Sequence, residues 1–86
     1  MKVARTDRFK KAYKKLTDEE RKAADKALSL LVNNLGHPGL QARKIEGTRG
    51  IWEARATRLI RLSFELRDTT LILRNIGNHD KVLKNP

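Results

Sequence analysis

Cysteine is absent from this 86-residue chain, and histidine occurs only as His37 and His79. Without cysteine the chain has no disulfides, no thiolate metal ligands and no thiol redox chemistry. Two histidines far apart in sequence do not make a metal site. The segment Gly47 to Gly50 lacks the lysine and hydroxyl spacing of a phosphate-binding loop, and no Gly-x-Ser-x-Gly elbow occurs. We therefore expect neither a metal nor a cofactor.

Long apolar runs are also missing. No stretch approaches the length that spans a membrane, and Met1 to Asp7 contains no apolar signal core. These absences predict a soluble cytoplasmic protein with no membrane partner. A chain of this length forms one modest core, so residues 1–86 are predicted to make a single domain.

Acidic and aromatic residues are scarce. Lysine and arginine number 20 against 10 aspartates and glutamates, which gives a net charge of +10. Such an excess favours a polyanionic partner. The aromatic residues are Phe9, Tyr13, Trp52 and Phe64, and at least three of them are expected in the core. Few remain for stacking on bases, which disfavours a general RNA-binding module.

Two amphipathic helices are predicted in the first half. Thr6 can cap the first, and Thr17 to Glu20 form a capping box for the second. The apolar stripes are Phe9, Ala12, Tyr13 and Leu16, then Ala24, Ala27, Leu28, Leu31 and Leu35. Gly36 and Pro38 are expected to end the second helix, where His37 can bond the last helix carbonyls. The basic residues of the first helix are interpreted as a solvated face.

The second half alternates with period two. Strands are predicted over Ile51 to Ala56, Leu59 to Leu66 and Leu71 to Ile76, with Gly77 and Asn78 ending the last and one helical turn following. A short strand within 42–45 and an edge strand at Val3–Ala4 complete the sheet. The expected fold class is α+β, with an N-terminal helical hairpin packed on one face of a small, twisted, mostly antiparallel sheet.

The second face of that sheet carries the candidate chemistry. Arg55 and Arg61 point outward from adjacent strands, and Arg74 joins them if the register allows. Arginine's planar fork suits phosphate oxygens, but these side chains can equally well pair with Glu53 and Glu65. His79 follows the last strand and is either a structural turn residue or a proton donor near neutral pH.

The order of these segments resembles the RelE/ParE superfamily, the small basic toxins of bacterial type II toxin–antitoxin systems. The resemblance rests on the hairpin Phe9–Leu35, Trp52-Glu-Ala-Arg55, Arg61-Leu-Ser-Phe64, Leu71–Arg74 and Gly77-Asn-His79. The ending is similar to that of the RelE-like ribonuclease branch. It implies metal-independent, ribosome-dependent cleavage of messenger RNA that leaves a 2′,3′-cyclic phosphate and inhibits translation. The implied partners are a cognate antitoxin, the ribosome and messenger RNA.

The resemblance also implies residue roles. His79 corresponds to the acid that protonates the leaving 5′-oxygen, Arg61 to the transition-state arginine, and Leu83 to an apolar contact. Arg55 and Arg74 complete the candidate catalytic set. Candidate RNA contacts are Arg43, Lys44, Arg49, Arg58 and Lys81.

Two alternatives stay open. The segment from Trp52 to Arg61 is one residue longer than is usual in the family, so Arg58 and Arg61 compete for the role of transition-state arginine. In addition, the strand from Trp52 to Ala56 has no lysine, where some members of the family place a base. The alternative function is that of the ParE branch, a non-catalytic inhibitor of DNA gyrase; His79 favours the ribonuclease branch.

Overall fold

A five-stranded sheet is the frame of the protein in a computed structural model that describes all 86 residues. The strands are β1 (Lys2–Arg5), β2 (Arg43–Lys44), β3 (Ile51–Arg55), β4 (Ile60–Arg67) and β5 (Thr70–Asn78). The helices are α1 (Asp7–Lys14), α2 (Asp18–Asn33) and α3 (His79–Lys84), with a 3-10 turn at Pro38–Leu40. The strand order is β1-β5-β4-β3-β2, and only the β1–β5 pair is parallel. The predicted α+β class is confirmed.

The helical hairpin begins where its capping residues predict. Thr6 Oγ1 accepts the N–H of Phe9 at 3.1 Å, and Thr17 and Glu20 form a reciprocal capping box. The predicted stop of α2 is wrong, because the helix ends at Asn33 with Asn34 as its cap. The His37 ring also differs from the prediction. Its Nδ1 accepts the Gly39 N–H at 3.0 Å and so caps the 3-10 turn, not the last carbonyls of α2.

The main core lies between the hairpin and one face of the sheet. Its buried members are Phe9, Leu16, Ala24, Ala27, Leu31, Leu40, Ala54, Ile60, Leu62, Phe64, Leu71, Leu73 and Ile76. Trp52 stacks on Phe64 with ring centroids 6.0 Å apart, and Tyr13 packs at the core margin. The aromatic residues are therefore largely committed to packing, as expected.

β5 carries an irregularity that the sequence-based prediction missed. Ser63 pairs with Asn75 and Phe64 pairs with Leu73, so Arg74 is an extra residue, a β-bulge, on β5. Arg74 reaches Glu65, and Asn75 stands opposite Ser63, so both lie on the face away from the hairpin. The predicted strand end at Ile76 is wrong, because Gly77 and Asn78 continue the ladder opposite Arg61 and Ile60.

α3 covers part of the second sheet face, hereafter the open face. Val82 is fully buried, and its Cγ2 lies 3.9 Å from where a Cβ on Gly77 would stand. Ser63 and Asn75 are buried beneath the segment that follows α3. The expectation that only the hairpin covers the sheet is therefore wrong. None of the helices combines the length and apolar character needed to cross a membrane.

Candidate functional site

Two grooves border α3, one beside β2 and β3 and one between α3 and α1. The first, which we call the strand groove, is a cavity of about 510 Å³ lined by Arg43, Lys44, Ile45, Glu46, Glu53 and Leu83. The second, the helix groove, is a cavity of about 360 Å³ lined by Arg8, Lys11, Ala12, Lys15, Asn75, Lys81 and Asn85. Both are rich in cations, and the strand groove also contains carboxylates.

Glu53 forms a charged wall of the strand groove. Its residue is only 5% exposed, and its carboxylate lies between two arginines, with Oε2 3.7 Å from Arg43 Nε and Oε1 3.8 Å from Arg61 Nε. A buried carboxylate is tolerated when cations compensate its charge. Glu53 therefore places an oxygen-based proton acceptor beside Arg61.

Arg61 is held in place by its surroundings. The side chain is 15% exposed, and Nη1 donates to the carbonyls of Thr57 at 2.9 Å and Arg58 at 3.4 Å. Arg61 thus fixes the β3–β4 loop, while Arg58 itself is exposed on that loop. The two arginines that compete for one role are therefore structurally coupled.

Arg55 and Arg61 are direct partners in the β3–β4 ladder. Directly opposed residues of antiparallel strands point to the same face, so both positions belong to one end of the open face. Gly77 is the partner of Arg61 on its other side. Arg55 also lines a cavity of about 310 Å³ beside α2 and the 3-10 turn, so it lies at the edge of the open face.

His79 starts α3 at the end of β5. Its backbone N–H donates to Leu59 O at 2.9 Å, and Asn78 Oδ1 caps the helix by accepting the Asp80 N–H at 3.0 Å. The ring is 40% exposed, with Nδ1 3.2 Å from Asp80 Oδ1. When Nδ1 carries a proton and donates it to Asp80, Nε2 is left to face a ligand. The backbone bond to Leu59 O follows the last β4–β5 pair, Ile60 with Asn78, so His79 begins α3 at the end of the sheet where Arg61 pairs with Gly77.

Arg74 binds the other open-face carboxylate. Its Nη1 donates to Glu65 Oε2, and Arg67 Nη2 lies 3.2 Å from Glu65 Oε1. The hydrogen bond from Arg74 is the main cause that lowers the pKa of Glu65 below its usual 4.5, and the positive charges of Arg74 and Arg67 act in the same direction. The ion-paired alternative for the strand arginines is thus realised at Arg74 with Glu65 and at Arg61 with Glu53.

This pairing predicts acid sensitivity. Because the pKa of Glu65 is lower in the folded protein than when unfolded, its ionised form stabilises the fold above pH 4.5, and that contribution is lost as pH falls through 4.5 towards the folded pKa. Glu65→Gln should therefore lose less thermal stability than the wild type between about pH 6 and about pH 3. Thermal melts followed by circular dichroism measure this difference. Glu46→Gln, at an exposed carboxylate, is the control, and equal slopes for Glu65→Gln and wild type would contradict the assignment.

The remaining predicted RNA contacts are divided among three places. Arg43 and Lys44 line the strand groove, where Lys44 Nζ also lies 5.7 Å from the centre of the Trp52 ring. Lys81 lines the helix groove. Arg49 is exposed in the β2–β3 loop, outside both grooves, and Leu83 faces the strand groove as an apolar lining residue.

Sequence reasoning missed two residues of this surface. From the sequence, Glu53 is expected only to pair with an arginine. Its outward strand position, opposite Ser63 and next to Arg61, is the signal that could indicate a carboxylate in a groove. Arg8 was assigned to a solvated helix face, yet it reaches β5 through Nε, which donates to Arg74 O at 3.2 Å. Only the packing of α1 against β5 reveals that contact.

The strand order, the hairpin over one face and the short C-terminal helix define the fold of RelE-like toxins. One similar solved structure is YafQ from E. coli strain BL21(DE3), with a TM-score of 0.79 and 19% identity. The match covers 93% of this chain and 94% of the YafQ chain. The RelB–RelE antitoxin–toxin complex from Methanococcus jannaschii gives a TM-score of 0.77 at 20% identity, covering 98% and 100%.

A YoeB/ParE toxin from Agrobacterium tumefaciens gives a TM-score of 0.77 at 16% identity, covering 92% of this chain and 99% of that one. No protein-family model matches the chain, and no curated protein matches it either. At these identities the likeness is one of fold. The predicted RelE/ParE resemblance is confirmed at that level, and structures named RelE, YafQ and YoeB/ParE all share the fold.

Proposed function

We propose that this protein is the toxin of a type II toxin–antitoxin pair and that it cleaves messenger RNA on the ribosome without a metal or cofactor. The observation that carries the proposal is the pairing of Arg55 with Arg61 across β3 and β4, with the Glu53 carboxylate 3.8 Å from Arg61. Cations and a proton acceptor around one position are what transesterification at a phosphate needs. Action on the ribosome would place the protein in the cytoplasm.

The reaction requires two proton transfers and charge stabilisation. The ribose 2′-oxygen attacks the neighbouring phosphorus as Glu53 takes its proton, and the P–O5′ bond breaks as His79 gives a proton to the leaving 5′-oxygen. The products are a 2′,3′-cyclic phosphate and a free 5′-hydroxyl. Arg61 and Arg55 offset the charge that develops on the phosphate oxygens. In this scheme Arg74 takes no step, because its Nη1 donates to Glu65 and its Nε to Pro86 O.

Arg61 must exchange contacts to take this role. In the free protein its Nη1 is bound to two neutral loop carbonyls. A phosphate oxygen carries negative charge that a carbonyl lacks, and a phosphate can accept two parallel N–H bonds from one guanidinium. A bound phosphate can therefore replace the carbonyls, and this exchange would also release the loop that carries Arg58.

An antitoxin partner is proposed on two grounds. The M. jannaschii RelE of similar fold was solved with its RelB antitoxin. The net charge of +10 also favours an acidic polypeptide that offsets it. We propose that an extended acidic or amphipathic segment of the antitoxin wraps the toxin and folds as it binds.

The test is primer extension on translated messages after induction of the protein. Cuts at fixed codon positions, absent when translation is blocked, are the expected result. A purified-gyrase supercoiling assay runs in parallel. Inhibited supercoiling with intact messages would overturn the ribonuclease proposal in favour of the ParE-like alternative.

A further inference from the structure

The helix groove has an unusual charge composition. Four of its lining residues are cationic, Arg8, Lys11, Lys15 and Lys81, and none is acidic. Lys11 and Lys15 are one helical turn apart on α1, and Arg8 lies three residues before Lys11, so all three share one face of the helix. Like charges so arranged repel one another and favour a polyanion that neutralises them.

A concentrated donor set holds the chain at Asn85 and Pro86, at the edge of the helix groove. Pro86 O accepts hydrogen bonds from Arg8 Nη2 at 2.6 Å, Ser63 Oγ at 3.2 Å and Arg74 Nε at 3.2 Å. Ser63 is completely buried. Next to it, Asn75 Nδ2 donates to Asn85 O at 3.0 Å. Two guanidinium groups and a buried hydroxyl directed at one oxygen form the kind of donor set that binds a phosphate oxygen.

We propose that the helix groove is a second binding site for the phosphate backbone of RNA, and that main-chain oxygens of Asn85 and Pro86 occupy the donors at its edge until a phosphate replaces them. The inference rests on the proposed function in taking RNA as the ligand. It adds a contact outside the cleavage site, formed by α1, α3 and the bulge of β5.

The position of the groove allows one RNA strand to reach both sites. Ser63 follows Arg61 by two residues on the same face of β4, a distance of about 6.6 Å along a strand. Phosphates that neighbour the scissile one can therefore approach Ser63, Arg8 and Arg74 while Arg61 holds the reacting group. Contacts at neighbouring phosphates position a strand without reading its sequence.

The lining favours nucleic acid over an acidic polypeptide. An amphipathic polypeptide segment needs apolar pockets for its non-polar side chains, as helices and strands in grooves do. Ala12 is the only apolar residue that lines the helix groove. A uniformly charged backbone gains from the cations without needing such pockets.

The first test compares two lysine pairs on α1. Lys11→Ala/Lys15→Ala removes groove charges, whereas Lys10→Ala/Lys14→Ala removes the same charge from the side of α1 that faces a different cavity. The probe is a fluorescein-labelled single-stranded RNA with methylated 2′-hydroxyls, which cannot be cleaved. Anisotropy titrations over a salt series give the slope of log binding constant against log salt concentration. For the groove pair this slope should be flatter by about 1.4, because two phosphate contacts at about 0.7 each are lost. The control pair should change little.

The second test removes the oxygens that fill the site. A variant that ends at Lys84 should bind the same RNA several-fold more tightly, because its donors are free. Three results would each overturn the inference. The two lysine pairs lose the same RNA affinity, or the wild type binds no RNA. Alternatively, the shortened variant keeps a wild-type melting curve and its RNA affinity is unchanged. The inference would also be overturned if a poly-glutamate peptide bound in a manner that depends on Lys11 and Lys15 while RNA binding did not depend on them.

These outcomes are separable from the proposed function. If groove-dependent RNA binding is present but induction produces no cuts, the ribonuclease proposal fails and the second site stands. If codon-positioned cuts occur but the two lysine pairs behave alike, the second site fails alone.

Discussion

Replacing Arg61 by alanine should lower the rate of RNA cleavage by about two to three orders of magnitude, the effect of removing one strong donor to the reacting oxygens. The expected loss follows from the position of Arg61 between Arg55 and Gly77, beside the Glu53 carboxylate. Single-turnover primer extension on programmed ribosomes measures it. Growth after induction should recover in parallel.

Matched variants separate charge from structure. Arg61 binds the Thr57 and Arg58 carbonyls and faces a buried glutamate, so alanine also loosens the loop and leaves Glu53 with Arg43 alone. Arg61→Lys keeps the charge but loses the planar fork and should recover only part of the activity. Arg58→Ala leaves the Arg61 side chain intact and should cut at near wild-type rates. If Arg58→Ala abolishes cutting while Arg61→Ala does not, the transition-state role belongs to Arg58.

Replacing His79 by alanine should slow cleavage by about 10²- to 10⁴-fold, the usual contribution of a general acid. His37→Ala is the control, because His37 caps the 3-10 turn and should change stability more than catalysis. The measurement is the single-turnover cleavage rate of each variant at one pH.

A conservative variant guards against a purely structural effect. Asn78 caps α3 through its own side chain, so His79→Gln retains the helix and a hydrogen-bonding group, but an amide cannot protonate a leaving group. We expect His79→Gln to be as slow as His79→Ala, and full activity in His79→Gln would exclude His79 as the acid.

The parts of the fold that depend on local signals were predictable from the sequence. Thr6 and Thr17 start the two helices because their hydroxyls accept N–H groups a few residues away, and the period-two pattern from Ile60 to Leu66 orients β4 correctly. The end of α2 was not predictable in this way, since Asn34 stops the helix before Gly36 is reached.

The candidate site was predictable only in part, because it depends on long-range packing. Arg55 and Arg61 were placed on one face by their alternation, and the structure pairs them. The contact of Arg8 with β5 joins residues 66 positions apart, and no periodicity encodes it. α3 crosses the open face because Gly77 leaves room for Val82 and because Ser63 and Asn75 bond the segment that follows.

The bulge at Arg74 determines which face of the sheet each later residue of β5 points to. Leu71 and Leu73 face the hairpin, and an unbroken alternation would send residues 75, 77 and 79 to that side as well. The additional residue moves Ile76 to the hairpin side in their place. Gly77 therefore lies on the open face, paired with Arg61 and next to Val82, only because β5 contains one extra residue at Arg74. Deletion of Arg74 should turn Gly77 towards the hairpin side and so change the direction in which α3 and its first residue, His79, leave the sheet, while the helical hairpin stays the same.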